Sequence, residues 1–270
     1  MHAFARGLLD QITLVHGPLG MLRDYFEEVE AAIRDRGLRL RFRTDFDHLV
    51  ELNRQHADSW PALMPIFHPG HSALRIDNAF WLEAIDGDGE TVATHSARLF
   101  DWHETNLAEE MRSLRIFFAD PKPHRAAGDW VEIDAPAAAR IRGRTMAGGS
   151  VWVRPDCRRW GLASIVPKIS RAYALTRWNI DYNWAVMEGK THAMGLSRSN
   201  GFHVEAKVVT RLKAWRDDLT VLFLWMSRDD ILADMRATLD HATVESARLI
   251  EMQNSSMSPE GSRHGMSSRS

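Results

Sequence analysis

The sequence is short of cysteine, tyrosine, long apolar runs and net charge, and each shortage removes a class of protein. One cysteine, Cys157, in 270 residues excludes an internal disulfide framework and a thiolate-rich zinc site. It agrees with a reducing compartment, and the cytoplasm is the expected location. Asp10 and Gln11 interrupt the apolar residues near the start, so no signal-peptide core is expected there. The run from Leu219 to Met226 is far shorter than the ~20 residues of a spanning helix, so no membrane partner is expected. Lys and Arg total 34 against 36 Asp and Glu, for a formal net charge of −2. No basic excess remains to neutralise phosphates, and nucleic acid is not an expected partner. Tyrosine occurs 3 times and tryptophan 10 times, so phenolic acids are scarce in an indole-rich chain.

The remaining composition, 44% hydrophobic and 26% charged, is that of a globular chain able to bury a core without staples. Apolar residues at three- and four-residue steps predict a helix over Pro18–Gly37. Alternation predicts a strand over Leu38–Phe42, and Asp47 is the expected cap of a helix from His48 to about Trp60. The double Asp-Gly at 86–89 joins strands Ala79–Ile85 and Thr91–Phe100 into a hairpin. Asn106–Phe117 reads as helical, and Trp130–Ile133 as a short strand in a Pro- and Ala-rich stretch. Then follow strand Ser150–Val153, helix Leu162–Trp178, strand Tyr182–Met187 and short helix Thr191–Ser199. A second hairpin is predicted from Val204–Trp215 and Leu219–Met226 around residues 216–218, and a last helix over Asp229–Glu251. This order specifies a mixed α/β (α+β) chain with one central strand–helix–strand crossover.

The chemistry-bearing stretch lies between the strand ending at Val153 and the helix beginning at Leu162. There Arg154-Pro155 turns the chain, and Arg158-x-x-Gly161-x-Ala163 opens the helix. Small residues at 161 and 163 allow an anion to approach the unpaired N–H groups and positive dipole end of the first turn. Arg158 and Arg159 add charge at the mouth. Spacing alone leaves two readings open, a pyrophosphate cradle and a plain strand–turn–helix punctuated by glycine.

The segment Val153–Ala163 resembles the acetyl-CoA signature of the GNAT acyltransferase superfamily. About forty residues later, the short helix closing on Asn200-Gly201-Phe202 resembles that family's second motif. The resemblance implies a GNAT-like mixed, mostly antiparallel sheet with a central splayed parallel strand pair flanked by helices. It implies a core over 38–226 carrying an insertion at 101–149. Outside it are a helical extension at 1–37, a helix at 227–252 and a disordered tail at 253–270. The implied co-substrate is acetyl-CoA or another short acyl-CoA, with no metal, and the implied partner is an amine acceptor. A homodimer is compatible with the resemblance. The pantetheine arm would pair with the backbone of Val151 and Val153 beside Trp152, and Arg158, Arg159, Trp160, Gly161, Leu162, Ala163 and Ser164 would hold the pyrophosphate. A kink at Gly148-Gly149 would aim an N–H at the thioester oxygen. The acceptor amine would attack directly, without a protein nucleophile.

Two positions depart from the family pattern. Ser197 stands where the family usually has the tyrosine that protonates the leaving thiolate, and Lys190 stands where an asparagine is common. A serine hydroxyl is shorter and far less acidic than a phenol. These departures also fit a non-catalytic acyl-CoA sensor or structural module. Transfer from a carrier-protein thioester is a third reading. Glu188 and His192 are the candidate base and proton carrier, each equally readable as a solvated side chain. Glu83 and Glu132 are weaker candidates for the acceptor side. His68-x-x-His71 supplies only two nitrogens and reads as a solvated loop. Cys157 sits among arginines able to lower its pKa, and Arg140, Arg142 and Arg144 would share one face of a strand.

Overall fold

The computed structural model describes residues 7–256, apart from the side chains of 245–256. In chain order the elements are α1 (Leu19–Arg34), β1 (Arg39–Arg43), α2 (Phe46–Gln55), β2 (Ala79–Ile85), β3 (Thr91–Trp102) and α3 (Leu107–Arg112). Next come α4 (Lys122–Ala126), β4 (Trp130–Ile133), α5 (Pro136–Arg140), β5 (Gly143–Val153), α6 (Leu162–Trp178) and β6 (Tyr182–Met187). The last are α7 (Gly189–Ala193), α8 (Leu196–Ser199), β7 (His203–Leu212), β8 (Arg216–Ser227) and α9 (Arg228–Ser256).

The strands form one eight-stranded sheet in the order β1-β2-β3-β5-β6-β8-β7-β4. Every neighbouring pair is antiparallel except β5 and β6, which run parallel. That is the sheet the sequence resemblance implies. One face is covered by α1, α6 and α9, whose Leu22, Phe26, Ile169, Leu175 and Ile231 are buried in one apolar cluster. A second cluster covers the other face, built from Phe46 and Leu49 of α2, Met111 of α3, and Trp81, Trp184 and Phe223 of the sheet. Trp60, Trp102 and Trp152 join it, so much of the tryptophan excess packs this face.

Several boundaries correct the sequence reading. Asp45, not Asp47, caps α2 by accepting from the His48 N–H at 3.1 Å, and that helix ends at Gln55 rather than near Trp60. The helix expected to reach Phe117 is six residues long and is followed by Leu114 in the left-handed region at φ 63°. The strand expected at Ser150–Val153 is the last part of the eleven-residue β5. Arg140 ends α5, Arg142 lies between elements and Arg144 is in β5, so the three arginines share no strand face. The helix expected over Thr191–Ser199 is two short helices, divided by Gly195 at φ 87°. The second hairpin turns at residues 213–215, before the expected acidic turn. The helix expected to end at Glu251 runs to Ser256, and residues 257–270 of the expected tail lie outside the described residues.

A buried cation ties the outer helices to the core. Arg171 of α6 is 2% exposed and donates to the Asn200 carbonyl at 2.8 Å and to Asp234 of α9 at 3.4 Å. Asp234 also pairs with Lys168 at 2.6 Å, and the Arg171 guanidinium lies over the Phe202 ring. A buried charge stripped of its partner is strongly destabilising. Asp234→Asn is expected to lower unfolding free energy by about 3 kcal/mol. Urea denaturation checks this, and an unchanged midpoint would exclude the ion pair from holding α9 in place.

Candidate functional site

The parallel pair holds together only briefly. Thr145, Met146 and Ala147 of β5 pair with Tyr182, Asn183 and Trp184 of β6, and beyond Ala147 and Trp184 the strands separate. Each keeps its outer partner, β3 for β5 and β8 for β6, so the gap is a V inside an otherwise continuous sheet. Two features hold β5 away. Thr94 pairs with Trp152 and Ser96 with Gly149, which sets Ser150 and Val151 opposite the single residue His95. This is a β-bulge, with Ser150 at φ 53° and its carbonyl held by the Thr94 hydroxyl at 2.9 Å. The kink expected at Gly148-Gly149 therefore falls one residue later. Gly149 serves a different need, because a Cβ there would stand 2.5 Å from the Phe67 ring.

The V opens into a cavity of about 630 Å³. Gly148, Val151 and Arg158 line one side and Val186, Glu188 and Lys190 the other. The segment 58–64 and the tip of the β7–β8 hairpin close it from above, where the Trp215 indole N–H donates to the Ala62 carbonyl at 2.9 Å. Neither closing segment carries a motif. Only the fold brings them together, which is why the sequence reading missed Trp60, Trp215 and Arg216.

At the wide end, residues 155–160 form a 3₁₀ turn leading to Gly161, whose φ of 77° is left-handed. Glycine adopts that conformation without steric penalty. Gly161, Leu162 and Ala163 donate no backbone hydrogen bond to the described residues, so three N–H groups stand free at the start of a 17-residue helix. Pro167 removes the N–H that would bond the Ala163 carbonyl, and the Asn200 side chain donates to it instead at 3.4 Å. Ser164 donates to the Ser199 carbonyl at 3.0 Å. The two sequence motifs are thus fastened to each other.

The expected coenzyme residues divide. Val151 is exposed in the cleft, while the Val153 side chain is buried under the sheet. Trp152 points away, stacked on Trp60 at 5.2 Å and donating to Ser59. Arg158 reaches the cleft with only the Val153 and Ser59 carbonyls as partners, both at 3.4 Å. Arg159 and Trp160 face a separate open groove beside Asp35 and Arg36.

The candidate acid–base residues are also separated. Glu188 accepts from Lys190 at 2.9 Å and from Arg216 at 2.7 Å. The Lys190 hydrogen bond, supported by Arg216 against the upward push of burial, holds its carboxyl below the usual carboxylate range. Glu188 is therefore a weak base. Ser197 is buried and its hydroxyl lies 2.7 Å from His192 Nδ1. Glu83 is buried under Arg41 and Arg43, and neither it nor Glu132 lines the cleft. Among the described residues no cluster of three metal-ligating side chains exists, and His68 and His71 stay a facing pair. Burial raises the Cys157 thiol pKa and outweighs Arg154, as for a packed cysteine and not for a thiolate activated by its arginine neighbours.

No family model and no curated protein sequence matches the chain. Solved structures do. One is AAC(6')-Ib in complex with ribostamycin and coenzyme A, at 16% identity over 72% of this chain and 95% of that one, TM-score 0.42. Another is Arabidopsis thaliana NAA60 with acetyl-CoA, at 13% identity over 69% and 97%, TM-score 0.43. A third is a variant of the spermidine N-acetyltransferase SpeG from Vibrio cholerae, at 12% identity over 73% and 97%, TM-score 0.42.

Beneath the apex of the V, burial, reinforced by the Arg171 charge, pushes the His95 pKa down to about 3. In the unfolded chain it titrates near 6.5. Between those values the unfolded state binds a proton that the folded state refuses, so stability falls as pH drops through about 6.5. His95→Gln is expected to flatten the loss of thermal midpoint between about pH 6.5 and 4.5. Parallel midpoint curves for the two proteins would contradict this.

Proposed function

We propose that the protein is a GNAT-type N-acyltransferase that moves an acetyl or short acyl group from acyl-CoA to an amine. The observation that carries this reading is the V between β5 and β6, whose cavity reaches Pro155 and Arg158 in the turn that ends at the free N–H groups of Gly161, Leu162 and Ala163. A linear arm ending in a pyrophosphate fits that combination: strand backbones hold the arm, and a helix start with Arg158 beside it holds the anion. The bulge turns backbone at Ser150–Val151 toward the cavity, where an N–H can stabilise the oxyanion of a tetrahedral intermediate. The neutral amine attacks the thioester carbon to give a tetrahedral intermediate, the attacking nitrogen gives up a proton to water, and collapse breaks the C–S bond so that the thiolate leaves and takes up a proton. The Ser197–His192 pair, each member next in the chain to a cavity-lining residue (Leu196 and Thr191) and itself behind the lining, is the proton source in this reading, replacing a single phenol with a hydroxyl backed by an imidazole.

The cavity also restricts the acceptor. Its carboxylates are Asp58 and Glu188, against Arg158, Lys190 and Arg216, and Glu188 is already paired twice. Trp60, Leu63, Met64 and Val221 supply apolar wall. This site suits a monoamine with an apolar body better than a polycation, because Asp58 is the one cavity carboxylate left without an ion pair among the described residues and it serves a single ammonium.

The core of the proposal is tested by calorimetric titration of acetyl-CoA. The wild type should bind, and Gly161→Glu, which sets a carboxylate among the pyrophosphate donors, should not. No binding at millimolar concentration would sink the reading. Turnover is tested separately by thiol release with a panel of amines that includes spermidine. Apolar monoamines should exceed spermidine in kcat/KM, and Ser197→Ala should lower kcat by about tenfold or more while leaving coenzyme affinity intact. Binding without thiol release for any amine would favour the second reading, a coenzyme sensor, which the missing phenol supports.

A further inference from the structure

Seven buried side-chain polar atoms have no hydrogen-bond partner among the described residues. Two of them, His95 Nδ1 and Ser150 Oγ, belong to residues facing each other across one bulge, where the V begins. Leaving such atoms unpaired in a protein interior is costly, and each calls for a ligand or water as partner. His95 is the larger of the two and is 4% exposed. Its Nε2 also lacks a protein partner, and it lies 3.1 Å from where a Cβ on Gly148 would stand. The Asn183 amide nitrogen is 3.4 Å from the same point. Gly148 lines the cavity and is the first β5 residue beyond the parallel pairing. The imidazole thus lies against Gly148 at the apex of the V, just behind the cavity lining and beside the Asn183 amide, and the missing side chain at 148 is what leaves it reachable from the cavity.

We propose that His95 is a binding residue for the acyl end of the pantetheine arm, its imidazole hydrogen-bonding the arm at the apex of the V beside Gly148. The inference rests on the acyl-CoA reading above. A neutral imidazole carries one donor and one acceptor, which matches an arm of alternating amide N–H and C=O groups and repels neither. An ammonium in the same place would be disfavoured by burial and by the Arg171 charge. Burial and Arg171 keep the ring neutral across the physiological range, so it serves as a fixed hydrogen-bonding group and not as the base.

The test uses the full chain with histidine imidazole nitrogens labelled, two ligands and two variants. Acetyl-CoA carries the arm, whereas adenosine 3′,5′-bisphosphate presents the nucleotide end without it. Acetyl-CoA should shift the His95 ring nitrogens, assigned by their absence in His95→Phe, and the bisphosphate should not. His95→Phe should weaken acetyl-CoA binding about tenfold, the loss of one hydrogen bond, and leave the bisphosphate unchanged. Gly148→Ala, which keeps the imidazole but fills its gap, should weaken acetyl-CoA in the same selective way. Acetyl-CoA saturation that shifts no histidine ring nitrogen would overturn the inference without any assignment, and so even if both variants failed to fold. Wild-type acetyl-CoA affinity in folded His95→Phe would do the same. Failure of the wild type to bind acetyl-CoA would instead bring down the acyl-CoA reading and this inference with it.

Discussion

The separation of β5 from β6 is the constraint on which the remaining architecture turns. Two parallel strands that stop pairing expose backbone N–H and C=O groups on both inner edges, and a soluble fold tolerates that only where something else will bond them. The protein keeps them apart by local means: a left-handed serine in a bulge, and a phenyl ring seated where Gly149 has no side chain. Each is a fixed piece of packing, so the gap is built in.

A sheet divided in this way needs bracing, and it is braced on both faces. Between β3 and β5 the chain leaves the middle of the sheet, adds β4 to the far edge beside β7 and returns. That excursion packs α3 and α5 across one face and links the two halves. On the other face α6 spans the halves, with α1 and α9 laid over it and Arg171 as the shared partner of Asn200, Phe202 and Asp234. The same arginine fixes the end of α8, and therefore the setting of Ser197 and His192.

The sequence was most legible where structure follows from local rules. Helix α6 and strand β6 fall on the expected residues, because an apolar period bounded by Gly161 and Asn179 leaves little choice. The glycine-led start of α6 was readable for the same reason. Boundaries slipped where a single backbone conformation decides, at Leu114 and Gly195, since periodicity does not register one left-handed residue. The cavity was least legible. Trp215 meets Ala62 across 153 residues, and Trp152, beside the motif in sequence, turns its indole away from the cleft. Pairings such as Glu188 with Arg216 rewrite a residue's chemistry from outside its own segment.

The lone cysteine has a consequence for redox chemistry. Cys157 is fully buried within the turn that precedes Gly161, its thiol is raised in pKa by that burial, and Arg154 donates to its sulfur at 3.7 Å. Thiolate is both the nucleophile and the oxidisable form, so this sulfur is withheld from disulfide exchange. Oxidised thiols exchange only with a sulfur they can reach, and the one sulfhydryl in the chain is shielded from them by the packing of the turn that leads into α6.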